Sequence, residues 1–201
     1  MIKEKDWLTY LLLVPFFIGL IFVLTGATEE FDTKVFYWIQ NTFAPFLDVP
    51  FKIITTLGNP KSVIAIIVIL LIIPKINKTV GIPTGLITLA SWVANETVKA
   101  LVSRSRPEFM LFEETSYSFP SGHAMNSMAM YLGLLFSLLL IVKNKKARII
   151  ISAFCITMPF VMGITRVYFG VHFLTDVVSG WALGAFIAII GFRIYRRFAK
   201  R

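Results

Sequence analysis

The chain has 201 residues, 57% of them hydrophobic and only 15% charged, with a mean hydropathy of +0.77. A water-soluble domain carries about a quarter of its residues as Asp, Glu, Lys or Arg, so this composition excludes an ordinary soluble fold and points to a membrane protein. The 20 Lys and Arg outnumber the 11 Asp and Glu, but they gather at the ends of apolar runs instead of forming a basic face. That pattern excludes nucleic acid as a partner and reads as membrane topology.

A helix needs roughly 20 apolar residues to cross the hydrocarbon core. Residues 7–25 meet this first. A signal peptide is the competing reading, but the run exceeds the usual h-region and "TGATEEF" is a weak cleavage site, so a retained helix is expected. Residues 26–59 form a long connection holding Glu29, Glu30, Asp32 and Asp48. Within it Phe31, Val35, Trp38, Ile39 and Phe43 recur at helical spacing. They suit either a helix in the membrane interface or an outer helix packed on the bundle. A short second span covers 62–73, starting near Gly58 and letting Lys61 snorkel.

Residues 80–98 make the third span, 124–142 the fourth, 149–164 the fifth, bordered by Arg148 and Arg166, and 173–192 the sixth. Cys155, the single cysteine, lies in the fifth and reads as a small buried residue. No linker or repeat divides the chain, so residues 1–201 are expected to form one all-α domain, a six-helix membrane bundle. Lys3, Lys5, Lys75, Lys78, Lys143, Lys145, Lys146, Arg148, Arg193, Arg196, Arg197, Lys200 and Arg201 all fall on one side of the zigzag. By the positive-inside rule that side, with both termini, faces the cytoplasm of a cell-membrane protein.

The opposite side collects the chemistry. "KALVSRSRP" brings Lys99, Arg104, Arg106 and Pro107 to the end of the third span. "PSGH" places Pro120, Ser121, Gly122 and His123 at the start of the fourth, where free N–H groups and a partial positive charge suit an anion. An ordinary Ser-capped helix start explains that segment equally well when it is taken alone. "TRVYFGVHFLTD" carries Arg166, His172 and Asp176. The four-residue spacing puts His172 and Asp176 on one helix face, where a carboxylate fixes the imidazole tautomer. Asp176 lies within an apolar span, where an ionisable residue is costly and is a functional candidate by default. Lys99, Arg106 and Arg166 converge on that pair as an anion site, arginine forks matching phosphate oxygens. Arg104 lies off the pattern and reads as a surface or headgroup contact.

In order and spacing, Lys99-x6-Arg106-Pro107, Pro120-Ser121-Gly122-His123 and Thr165-Arg166-x5-His172-x3-Asp176 resemble the three-part signature of the type 2 phosphatidic acid phosphatase superfamily. The resemblance covers about 58–192 and is closest to that superfamily's small bacterial branch acting on phosphatidylglycerophosphate and undecaprenyl pyrophosphate. Thr165 stands where the family commonly has Ser. The resemblance implies a phosphatase that works without a metal or other cofactor, with an extracytoplasmic site and a membrane lipid phosphate as substrate. It makes His172 the nucleophile of a phosphohistidine mechanism, Asp176 its orienting group and His123 the acid for the leaving alkoxide. Lys99, Arg106, Ser121, Gly122 and Arg166 would hold the phosphate. Phosphatidylglycerophosphate is the first expected substrate, with undecaprenyl pyrophosphate and phosphatidate behind it. A non-catalytic lipid-phosphate flippase is the rival reading. It would use the same cations but has no need of the His–Asp pair or of a second histidine. A metal-dependent hydrolase would want several carboxylates, and Glu108, Glu113 and Glu114 show no ligand-like arrangement with the histidines.

Overall fold

A computed structural model describes residues 7–43 and 45–199. Nine α-helices follow one another among them: α1 (Trp7–Tyr10), α2 (Leu13–Leu24), α3 (Glu29–Thr42), α4 (Asp48–Leu57), α5 (Pro60–Ile72), α6 (Ile82–Val102), α7 (Gly122–Ile141), α8 (Lys145–Tyr168) and α9 (Leu174–Phe198). No strand occurs among the described residues, as the expected all-α class requires. Lys3, Lys5, Lys200 and Arg201 lie outside the described residues.

Among the described residues, four stretches are long and apolar enough to cross a membrane: Trp7–Leu24, Gly122–Ile141, Lys145–Tyr168 and Leu174–Phe198. The α4–α5 pair makes a fifth if it is taken as one span bent by 54°. The helix of the second span thus begins close to Gly58, as expected, but a bend that the sequence did not announce precedes it. Its helix starts at Pro60, and α4 arrives at an angle, with Asn59 at the junction. Lys61 is exposed there. Helix α6 has the length, at 21 residues, but Thr84, Thr88, Ser91, Asn95 and Lys99 put a polar row along it. That row is buried, while Leu86, Leu89, Trp92 and Val93 on the other face are 50–55% exposed. A polar interior with an apolar exterior inverts the soluble-helix pattern and suits a lipid surround.

Helix α7 is the central post, packed on α6, α8 and α9, with α2 lying outside α9. It meets α9 at backbone distance because Gly180 and Gly184 are spaced as a small-xxx-small pair. A Cβ on Gly184 would stand 2.3 Å from the Met125 carbonyl oxygen, and one on Gly180 would stand 2.9 Å from that of Ser121. This approach lets the Ser121 N–H donate to the Asp176 carbonyl at 3.0 Å. Two of the three sequence segments are thereby tied together by backbone.

Helix α3 packs on α8 and α9. Its buried stripe is Asp32, Phe36 and Ile39, with Val35 and Phe43 partly covered, whereas Phe31 and Trp38 point outward at 54% and 62% exposure. The inward face is thus rotated by about one residue from the apolar stripe expected from sequence, and it brings a carboxylate inward with it. Lys78 and Arg148 sit at the helix ends opposite the motifs, where the Lys78 carbonyl accepts from the Tyr195 hydroxyl and Arg148 donates to the Leu139 and Val142 carbonyls.

Candidate active site

His172 lies in the turn before α9 rather than on the helix, so it does not share a helical face with Asp176 as the spacing suggested. The two still meet. Nδ1 of His172 is 3.5 Å from Asp176 Oδ2 and 3.3 Å from the Ser118 hydroxyl, which itself donates to the same Oδ2 at 2.5 Å. Asp176 occupies the third position of α9, and its carboxylate also accepts from the Phe173 N–H at 3.0 Å, capping the helix start.

On the other ring edge, Arg106 Nη1 lies 3.3 Å from His172 Nε2. A guanidinium N–H only donates, so Nε2 must offer its lone pair and the proton must sit on Nδ1, toward Ser118 and Asp176. Burial pushes the imidazole pKa down to about 3, against the opposing pull of Asp176. The ring is therefore neutral at physiological pH, with its Nε2 lone pair directed at the Arg106 cation. That is the state a nitrogen nucleophile needs.

Arg106 is braced by the Ser116 carbonyl at 2.6 Å, the Ser116 hydroxyl at 2.9 Å and the Val171 carbonyl at 2.6 Å. Burial lowers its pKa, but a guanidinium starts so far above physiological pH that it stays charged. Lys99 donates to the Ser116 hydroxyl at 3.0 Å and to the Tyr117 carbonyl at 2.8 Å. Arg166, 1% exposed, reaches Thr55 at 2.9 Å and Glu114 at 2.5 Å, and its Nε has no partner among the described residues. Glu114 also lies 3.8 Å from Arg106. Of the three carboxylates considered as metal ligands, this one is held by two arginines.

His123, in the first turn of α7, pairs through Nε2 with Asn59 Oδ1 at 2.9 Å. An amide oxygen only accepts, so His123 carries a proton on Nε2. Gly122 leaves room where a Cβ would stand 3.0 Å from Asn95 Oδ1. Ser121 is fully buried with its hydroxyl toward the Ala124 N–H at 3.5 Å, so its side chain serves as the helix N-cap. Thr165 spends its hydroxyl on the Met162 carbonyl, within its own helix.

His172, His123, Lys99, Arg106, Gly122 and Glu114 line one cavity of about 820 Å³. Below this polar head the walls become apolar: Val63, Ile64, Ile67 and Leu71 from α5, and Leu86, Leu89 and Trp92 from α6. Arg166 and Asp176 do not line the cavity but are paired with residues that do, Glu114 and His172.

Arg104 corrects the sequence reading. It is half-buried, its guanidinium shared between Asp176 Oδ1 at 2.6 Å and Asp32 Oδ2 at 2.9 Å, and it lies 4.0 Å over the Phe173 ring. Asp32 further accepts from the Thr175 N–H and hydroxyl, at 3.1 and 2.6 Å. Sequence reasoning missed Asp32, Ser118 and Asn59 and set Glu114 aside. The one local signal available was Asp32, an acid at i, i+4 and i+7 with Phe36 and Ile39.

Residues 80–200 match the PAP2 superfamily. A phosphatidylglycerophosphatase B of Bacillus subtilis (strain 168) is 40% identical over 105 residues, 49% of this chain; the match spans only half of that protein. An undecaprenyl-diphosphatase of Sulfolobus acidocaldarius is 28% identical over 200 residues, 94% of this chain and 92% of that one. The crystal structure of a transmembrane PAP2 type phosphatidylglycerolphosphate phosphatase from B. subtilis superposes with a TM-score of 0.85 at 27% identity, covering 94% of this chain and 96% of the other. Aquifex aeolicus LpxE follows at 0.66 and 27%, over 80% of this chain and 94% of its own. With more than half its length matched by the family and all three signature segments meeting at one cavity head, the chain belongs to the PAP2 superfamily.

Proposed function

We propose that the protein is a hydrolase of membrane lipid phosphates, cleaving a phosphomonoester through a phosphohistidine on His172. The observation that carries this is the neutral His172, its Nε2 lone pair directed at Arg106 at the polar head of a cavity with apolar walls. Such a cavity keeps an acyl or isoprenoid tail among α5 and α6 while the phosphate reaches the cations.

In the first step the Nε2 lone pair attacks phosphorus and the ester P–O bond breaks, its electrons passing to the leaving oxygen. His123, taken as the imidazolium that a bound phosphate dianion favours, gives that oxygen a proton and becomes the neutral ring, as an alkoxide is a poor leaving group. Lys99, Arg106 and Arg166 neutralise the equatorial oxygens, with the Gly122 backbone close by. Ser118 and Asp176 hold the Nδ1 proton and stabilise the charge that develops on the ring. Water then attacks phosphorus and gives a proton to His123 as the P–N bond breaks, its electron pair returning to His172 Nε2 and orthophosphate leaving. The donor set supports a metal-independent reading: Asp176 is paired with Arg104 and Glu114 with Arg166, which leaves cations to face the ligand. A flippase would need the cations but not this tautomer-fixed histidine.

The chain is read as six spans, α6 included, with both termini cytoplasmic and the site at the extracytoplasmic surface of the cell membrane. Phosphatidylglycerophosphate is the first substrate and undecaprenyl pyrophosphate the second, in line with the activities named for its relatives. Phosphate release from those two lipids and phosphatidate, with and without chelator and with His172→Ala as the blank, tests the reading. Release that survives chelator supports it. Release that needs added magnesium, or none above the blank, refutes it.

A further inference from the structure

Glu114 stands where the proposed phosphate would bind. Its Oε1 accepts from Arg166 at 2.5 Å and its Oε2 lies 3.8 Å from Arg106. The Arg166 and Arg106 side chains are 2% and 6% exposed, whereas the Glu114 side chain is 29% exposed and lies on the helix-free connection between α6 and α7. Of the three groups, the carboxylate is the one with solvent to withdraw into. It also lines the cavity.

Resting on the phosphatase reading, we infer that Glu114 is a specificity-determining residue, an internal carboxylate that a phosphomonoester displaces and a phosphodiester does not. A carboxylate carries one negative charge, and so does the phosphodiester of an ordinary membrane lipid. Exchanging one for the other gains no charge and gives up a tethered group of high effective concentration. A phosphomonoester carries about −1.5 to −2 at pH 7 and offers three oxygens to the arginine forks. In a buried site the extra charge counts far more than in water. The bilayer around the cavity mouth is crowded with phosphodiesters. Without a competitor, two buried guanidiniums would be open to headgroups that cannot react.

A merely structural ion pair predicts something else: its loss would loosen the 103–121 connection and weaken every anion alike. The test is therefore a ratio. Thermal protection of the purified full chain in detergent is measured with orthophosphate and with dimethyl phosphate, for wild type, Glu114→Gln and Glu114→Asp. Wild type should prefer orthophosphate. Glu114→Gln should reduce that preference roughly tenfold, at the low end of coupled binding effects, chiefly by gaining affinity for dimethyl phosphate. Glu114→Asp should restore most of it. An unchanged ratio in Glu114→Gln, equal weakening of both anions, or no protection in any variant overturns the inference. A collapsed ratio in a protein that releases no phosphate from any lipid leaves it standing and refutes the phosphatase reading instead.

Discussion

Replacing Arg104 by glutamine removes the cation shared by Asp32 and Asp176, whose side chains are both fully buried. The glutamine amide can hydrogen-bond one carboxylate but neutralises neither. Breaking a buried ion pair from one side costs about 3–5 kcal/mol, because the remaining charge is left uncompensated. The Arg104 side chain is only 10% exposed, so solvent screening takes little from that figure. For a chain of this size each kcal/mol moves the melting midpoint by roughly 2–4 °C, which gives a fall of roughly 6–20 °C. Asp176 keeps Ser118 and the Phe173 N–H, so the site survives but is misaligned, and turnover should drop by up to about 100-fold. Adding Asp32→Asn to Arg104→Gln removes one of the two stranded charges and should recover part of the loss, a coupling of about 0.5–3 kcal/mol. Thermal unfolding in detergent, with phosphate release measured on the same samples, reads both effects. A midpoint within 2 °C of wild type, using roughly the shift expected per kcal/mol as the yardstick, with full turnover, would mean that the bridge does not hold the site.

Two further outcomes follow from the geometry. Gly184→Ala puts a Cβ 2.3 Å from the Met125 carbonyl oxygen. It should destabilise the protein by more than the roughly 1–3 kcal/mol of ordinary overpacking, since backbone must move, and it should cut activity by drawing Asp176 away from Ser121. Gly85→Ala, whose Cβ meets only the Ile67 Cγ2 methyl at 3.2 Å and no backbone, is the milder control; equal melting of the two variants would refute the close-packing account. His172 has a folded pKa of about 3, below its ordinary 6.5. The unfolded chain thus binds more protons between those values, so the stability contributed by the neutral ring is present above about 6.5 and is lost as pH falls toward about 3. His172→Gln should flatten the acid limb of an unfolding-against-pH curve over that window, and an unchanged limb would contradict the buried neutral imidazole.

The residues legible in the sequence are those whose meaning is local. Lys99, Arg106, His123, Arg166, His172 and Asp176 announce themselves because charges at apolar-span ends are expensive and their spacing is fixed. What stayed hidden depends on pairs distant in the chain. Asp32 and Thr175 are 143 residues apart, and Asn59 and His123 are 64 apart. No periodicity reports such contacts. Arg104 was misjudged because a lone arginine at a span end usually anchors to headgroups, and only the inward turn of α3 gives it a second acid. The α4–α5 bend escaped for a related reason: the apolar run of 62–73 is visible, whereas the direction from which the chain enters it is set by tertiary packing. Glu114 was weighed as a metal ligand against the histidines, when its partners turned out to be the arginines.

The central claim is that His172 Nε2 attacks phosphorus. It is tested most directly by rapid quenching during turnover, under alkaline conditions that preserve phosphohistidine, followed by mass spectrometry of the 167–192 region and of the stretch around His123. The account predicts a phosphoryl group on His172, none in His172→Ala, and a retained burst in His123→Ala with a nitrophenyl ester, whose leaving group needs no proton. The same His123→Ala variant should lose about 10²–10⁴-fold on a lipid alkoxide. A phosphoryl group on His123, or none on either histidine in a turning-over wild type, would contradict it.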